Sequence, residues 1–322
     1  KSLQEALENM ASNMDQIEIE LDRYLDIFRR LQAEQKMDEL KTRLDQLVQQ
    51  QDALDREITD LANDTDKSAL SRLSQEEQRN LEEFNTLKEI MEDAAELVKP
   101  FSEKTSQDLA ELENNPVTRE TGENLKETIK NLQRANSNHA RQSSEQSLQN
   151  LETLQQMMME IQQQFQQETV AEMTEKFEKL MRDILFLSKQ EEQLRSDVKS
   201  ASRTSPRLRD MAAQQQMLQD QLKKIMNQMM DLSRKTFAIT PDMGRAMGKA
   251  NASMDKAKTN LTERRVTQAG QNQDTAMEGL NEAALTLFQS IQQMQSSGSA
   301  SGYEQFLQMM QQMAGQQQNL NQ

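Results

Sequence analysis

The sequence lacks cysteine and tryptophan, and aromatic residues fill only 3% of its 322 positions. Without cysteine, disulfides, zinc–thiolate sites and cysteine nucleophiles are excluded, and a cytosolic or a periplasm-like compartment suits the chain equally. Scarce aromatic rings leave little with which to build large, flat core surfaces. Glycine and proline are also rare, 8 and 4 in the whole chain, so helices have few places to break. No apolar run approaches the roughly 20 residues that a membrane-spanning helix needs. The first residue is Lys1, with no initiator methionine or signal-peptide pattern, and helical periodicity is already running there. The expectation is a fragment of a longer protein.

What is present favours helix. Gln, Glu, Leu, Met, Lys, Ala and Arg dominate, all strong helix formers. Leucine and methionine recur at regular spacing, which separates this chain from an acidic disordered one. The net charge of -15 is unevenly placed. Residues 1–115 hold 14 basic and 29 acidic side chains, whereas residues 203–265 hold 13 basic and 6 acidic ones. These read as solvated helix faces, with attraction between the two segments as the alternative.

Leu3, Leu7, Met10, Met14, Ile17, Leu21, Tyr24, Phe28 and Leu31 step by four and three residues in turn, a heptad seam for a partner helix. A second register follows at Met37, Leu40, Leu44, Leu47, Gln51, Leu54, Ile58 and Leu61, slipped in phase without a helix stop. The spacing predicts one acidic helix over 1–62, about 90 Å long at 1.5 Å per residue. Asn63–Asp66 mark a turn. Ser74 with Glu77 forms a capping box, so shorter helices are expected over 74–113, interrupted at Pro100. Asn115–Pro116 opens a long helix, or two end-to-end helices, over 116–201.

Within that stretch Met173, Phe177, Leu180, Ile184, Leu187, Glu191, Leu194 and Val198 keep a regular seam. Asn136–Ser143 is a polar gap in which Asn136, His139 and Ser143 fall on the extrapolated stripe; weak packing, a kink or a hinge is expected there. A mildly basic helical hairpin is expected over 206–295, capped by Ser205–Pro206 and turning at Thr240–Pro241. Its first helix places Met211, Gln215, Leu218 and Leu222 in register. Residues 296–322 read as a flexible linker, SSGSASG, and a low-complexity Gln/Met tail. No strand pattern and no fixed-length repeat beyond the heptads is evident. The fold class is therefore all-α, an elongated antiparallel coiled-coil-type bundle of long helices without a sheet.

Candidate chemistry is thin. His139 is the only histidine, and its neighbours Asn138, Ala140 and Arg141 form no acid–base or metal constellation. Methionine clusters at Met157–Met159, Met226/Met229/Met230 and Met309/Met310/Met313 could offer thioethers to Cu(I), but they read better as core filler or adaptable contact surface. The acidic pairs Glu76–Glu77 and Glu191–Glu192 are not paired catalytic carboxylates, because adjacent helical residues diverge by about 100°. They are expected on solvated faces. Phosphate-binding, dinucleotide-binding and nucleophile-elbow motifs are missing. The basic stretch around Arg264–Arg265 lacks the interleaved aromatics of a nucleic-acid surface.

Several segments in series carry a resemblance: LDRYLDIFRRLQAEQKMDEL (Leu21–Leu40), MRDILFLSKQEEQL (Met181–Leu194), SPRLRDMAAQQQMLQ (Ser205–Gln219), MMDLSRKTFAI (Met229–Ile239), MDKAKTNLTERR (Met254–Arg265) and QDTAMEGLNEAALTLF (Gln273–Phe288). Over most of the chain their order and spacing resemble the bacterial family called domain of unknown function 4175, of the Bacteroidetes type. The resemblance implies transmembrane helices ahead of the helical region, in some members an extracytoplasmic β-domain, and so a membrane-tethered protein of the cell envelope. It implies no catalytic residues.

The reading that follows is a non-enzymatic scaffold domain, with no catalytic, cofactor-binding or metal site and no cofactor. Its partners would be other protein helices, in this chain or another, reached through the Met/Gln stretches Met157–Gln167, Met226–Met230 and Met309–Met313. Nucleic acid is not expected, and the membrane is met only through segments outside this sequence. Short connections at Ser202–Pro206 and Ala238–Pro241 favour antiparallel neighbours within one chain, and a homo-oligomer stays open. The alternative is a signalling or sensor bundle with a polar hinge near 136–143. Reversible lipid binding is disfavoured by the Glu/Gln-rich polar faces.

Overall fold

The computed structural model describes residues 2–61, 67–303, 307, 310 and 311, with side chains from residue 25 onward. Among these residues there are eight helices and no strand: α1 (Ser2–Asp60), α2 (Lys67–Val98), α3 (Glu103–Glu113), α4 (Pro116–Gln133), α5 (Ser137–Ser200), α6 (Leu208–Ser233), α7 (Pro241–Thr262) and α8 (Val266–Ser297). The chain is an all-α helical bundle. None of these helices is long and apolar enough to cross a membrane. Helix starts follow the local chemistry. Asn115 and Thr240 cap α4 and α7 with their side chains, and Pro116 and Pro241 sit at the first helical positions where a missing N–H is harmless. Ser102 caps α3 by accepting from the Thr105 N–H at 3.0 Å.

The helices divide between two compact units, one of residues 29–169 and one of residues 1–28 with 170–322. Each has its own apolar core. The first is built on Leu40, Leu44, Phe84, Leu87, Leu125 and Phe165 among others; the second on Phe177, Ile184, Leu222, Met247, Leu280 and Leu287 among others. Neighbours run antiparallel. In the first unit Arg43–Glu83 and Arg72–Glu57 pair α1 with α2 in opposite directions. In the second, Ser188–Asn281 and Arg195–Asp274 do the same for α5 and α8.

The two units repeat one pattern of burial. Buried Ala33, Met37, Leu40, Leu44, Leu47, Gln51, Leu54 and Ile58 of α1 recur 140 positions later on α5 as Met173, Phe177, Leu180, Ile184, Leu187, Glu191, Leu194 and Val198. Leu70, Leu73, Glu77, Asn80, Phe84, Leu87 and Met91 of α2 recur 138 positions later on α6 as Leu208, Met211, Gln215, Leu218, Leu222, Ile225 and Met229. Leu125, Thr128, Leu132, Ala140, Ser144, Leu151 and Met158 of α4 and α5 recur 129 positions later on α7 and α8 as Met254, Ala257, Leu261, Ala269, Gln273, Leu280 and Leu287. The recurrence is one of burial and has no fixed length. The offset falls by nine where α3 has no counterpart, and most paired residues differ in type, so no fixed period is visible in the letters.

Several boundaries are corrected. Helix α2 begins at Lys67 and not Ser74, because burying Leu70 and Leu73 extends it by two turns; Ser74 and Glu77 then lie inside the helix and are themselves buried. The stretch 116–201 is two helices but not end to end. Thr128 donates to the Ser143 hydroxyl at 2.8 Å, so α5 folds back along α4 and the polar gap is a chain reversal. Asn136 and His139 are exposed, while Ala140 and Ser143 are buried. The expected hairpin over 206–295 is three helices, since α7 ends at Thr262 and α8 starts at Val266.

The breaks at α4–α5 and α7–α8 share one geometry. The Asn136 N–H bonds to the Asn131 carbonyl and the Ala135 N–H to Leu132; Arg265 and Arg264 repeat this onto Asn260 and Leu261. These are Schellman caps, with Ala135 at φ 57° and Arg264 at φ 61° in the left-handed position usually given to glycine. At the other end of α8 the SSGSASG stretch is not a free linker. Ser301 is buried, and its carbonyl accepts from the Phe237 N–H at 2.8 Å and the Thr236 hydroxyl at 3.0 Å. Gly302 is held at φ 69°, where a Cβ would stand 2.6 Å from the Ala238 nitrogen. Most of the Gln/Met tail, including Met309 and Met313, lies outside the described residues, as do Asn63–Asp66 and the side chains of the Leu3–Tyr24 seam.

Candidate functional site

Each unit carries a polar layer inside its apolar core. In the first, Gln51 of α1 and Glu77 of α2 are fully buried. The Gln51 Nε2 donates to Glu77 Oε1 and to the Ser144 hydroxyl of α5, both at 3.3 Å, and Asn80 Nδ2 donates to Gln51 Oε1 at 2.8 Å. Glu77 Oε2 is buried without a well-formed hydrogen bond. Burial pushes the Glu77 carboxyl up to about 8; the amides of Gln51 and Asn80 and the Thr128 hydroxyl, which favour the ionised form, do not offset it. Asp55 of α1 stands nearby, and burial raises it as well, with Glu145 and Asp52 adding like charge.

The second unit holds the same layer with its parts exchanged. The acid is Glu191 on α5, where the first unit has Gln51, and the amide is Gln215 on α6, where the first unit has Glu77. Gln215 Nε2 approaches both Glu191 oxygens at 2.9 and 2.8 Å, and its Oε1 accepts from Gln273 of α8 at 2.9 Å. Burial pushes Glu191 up to about 7. One turn away, Arg195 and Asp274 close a two-bond ion pair at 2.7 and 2.8 Å. Their counterparts in the first unit are two acids, Asp55 and Glu145.

Thus Glu77 and Glu191, expected on solvated faces, are at the centre of the two cores, whereas Glu192 is exposed and Glu76 is paired with Arg72. The signal was present. Gln51, Glu191 and Gln215 all fall at seam positions of the heptad pattern, and each breaks a run of Leu, Ile or Met. Glu77 was hidden by its other reading as a capping residue.

A second feature is apolar and outward. On the α5–α8 seam, Leu185 is 46%, Leu285 57% and Phe288 45% exposed, with Met181 half-buried beside them. The register set by Ser188–Asn281 and Arg195–Asp274 puts these four within about two turns of one another. Their counterparts in the first unit are Asp45, Gln156, Met159 and Lys41, and there Asp45 accepts from Gln155 at 2.7 Å. The fold therefore does not require apolar side chains at the positions of Met181, Leu185 and Leu285, while Phe288 answers to the exposed Met159.

The remaining candidates are not brought together. His139 is exposed on its own at the start of α5. Each described methionine cluster splits: Met158 and Met229 point into cores, while Met159 and Met230 are about half exposed. Arg264 and Arg265 make the α7–α8 turn. No group of three or more metal-ligating side chains converges among the described residues. An open groove of about 950 Å³ between α1 and α2 is polar, and its Arg43 is already engaged by Glu39 and Glu83, each at 3.0 Å. No family model, curated protein or solved structure matches the chain.

Proposed function

We propose that this chain is a non-enzymatic scaffold domain of a membrane-anchored bacterial envelope protein, and that it works by docking a helix of another protein on the α5–α8 face. One observation carries the docking: Met181, Leu185 and Leu285 are apolar and outward where the first unit has Lys41, Asp45 and Gln156, and with the exposed Phe288 they make a continuous patch. On α8 the exposed Glu282 lies beside Leu285, Asp274 and Glu278 are already engaged by Arg195 and Lys249, and α5 brings Arg182 and Lys189 to the same face, so the occupant is an amphipathic helix recognised by its apolar stripe. The envelope placement rests on the family resemblance of the ordered segments.

The test titrates the full chain with two synthetic helices of one composition, the first with its leucines in a single stripe and the second with them scattered around the helix. Tighter binding of the striped peptide, weakened at least tenfold by Leu185→Asp with Leu285→Gln, is the expected result. Equal binding of both peptides, or binding indifferent to the double substitution, would overturn the docking. Concentration-dependent dimerisation abolished by the same substitutions would assign the face to a second copy of the chain instead.

The signalling alternative needs an element with two states. The segment 136–143 is a closed turn tied by the Thr128–Ser143 bond, and the buried acids are better placed for such a role.

A further inference from the structure

We propose that the two buried carboxyl–amide layers are a proton-dependent clasp: each acid in its neutral form holds two neighbouring helices together, and the unit of residues 29–169 loosens the more of the two as pH rises. The first support is geometric. Glu77 and Glu191 are wholly buried, each faces an amide instead of a cation, and each ties neighbouring helices across a core. The second is recurrence. An acid and an amide meet at the same two structural positions in both units although they have exchanged helices, so the pairing is kept while the residue at each position is not. A layer needed only for packing would be satisfied by leucine, the residue that flanks it on both sides in α1 and α5.

The difference in loosening comes from the groups around each acid. Glu77 meets Gln51 and Asp55 of α1, Asn80 of its own helix and Thr128 of α4, and Ser144 of α5 joins the layer through Gln51; Asp55 in turn feels Asp52, Glu145 and the cation Arg141. A charge on Glu77 is therefore added beside acids. Glu191 meets Gln215 of α6, which is bonded to Gln273 of α8; the nearby Arg195–Asp274 pair is closed on itself, and Lys258 of α7 is engaged by Gln216, Gln219 and Asp255. A charge on Glu191 meets no such cluster. Loss of the proton removes the only hydrogen-bond donor that the acid could offer and leaves a buried anion with neutral amide and hydroxyl contacts. The helix that can leave is α2, which carries Glu77.

Hydrogen exchange of the full chain, corrected for intrinsic rates and compared at about pH 6 and pH 9, tests this. Protection of α2 is expected to fall by roughly tenfold or more at the higher pH in the parent chain. It should stay level in E77Q, which installs the residue found at that position in the second unit, and should still fall in E191Q. Far-UV circular dichroism at pH 6 reports whether each variant is folded. The exchanged variant Q51E/E77Q moves the acid to α1 as the second unit has it, and should regain the loss of α2 protection; it also carries the test if E77Q does not fold. A parent chain with level protection, an E77Q chain that still loses it, or a folded Q51E/E77Q chain that does not, would each overturn the clasp.

Discussion

A carboxyl group shut inside a protein is stable there only while it carries its proton. For Glu191 the sign follows from the upward shift: between the ordinary value of 4.5 and about 7 the folded chain binds more protons than the unfolded one. Stability is complete below that window and is lost as pH rises through it. Glu191→Gln removes this ionisation, so denaturant unfolding should show the variant losing less stability than the parent from about pH 5 to 8.5 and about 1–3 kcal/mol more stable than the parent at the upper end. A variant that tracks the parent at every pH would contradict this. Gln51→Leu should act in the other direction. It strips Glu77 of its amide donor and should cost about 1–3 kcal/mol near neutral pH, read from the urea midpoint. The heptad pattern already placed Gln51, Glu191 and Gln215 in the seams. It could not reveal that Gln51 meets Glu77 and Glu191 meets Gln215, because contact depends on which helices become neighbours.

At the scale of helices, starts were more legible than stops. Asn115–Pro116 and Thr240–Pro241 announce α4 and α7, since a capping side chain and a fixed φ act within a few residues. The ends at Ala135 and Arg264 carry no such mark, because tertiary packing holds two ordinary residues in a glycine conformation. Ala135→Gly and Arg264→Gly should each raise stability by about 0.5–1 kcal/mol by relieving the left-handed strain, measured by thermal unfolding. The α7–α8 pair depends on close approach. A Cβ at Gly279 would stand 2.6 Å from the Ala246 carbonyl oxygen, so Gly279→Val should destabilise by about 2 kcal/mol or more and lower amide protection in both helices.

For the whole molecule, the presence of two cores has more weight than the number of helices. Leu87 and Ile225 occupy equivalent places in separate apolar clusters. Leu87→Ala and Ile225→Ala should each cost about 2–5 kcal/mol, and each should lower exchange protection in its own unit before the other. Equal loss in both units from either substitution would mean that the cores unfold as one. The all-α class was readable from composition and period, because both are local properties. The repeat was not, since what recurs is depth of burial and not residue type: Met37 answers to Phe177, and Asn80 to Leu218.

The exchange of acid and amide between helices bears on how such a chain can change over generations. Moving the acid from one helix to the other by single steps passes through either two amides or two acids. Two facing acids in a dry core cannot both ionise and would have to share a proton, whereas two amides can pair without charge. Descent through the amide pair keeps every ancestor folded. Sequences sharing this architecture should therefore show Gln with Gln at the Gln51/Glu77 and Glu191/Gln215 positions far more often than Glu with Glu.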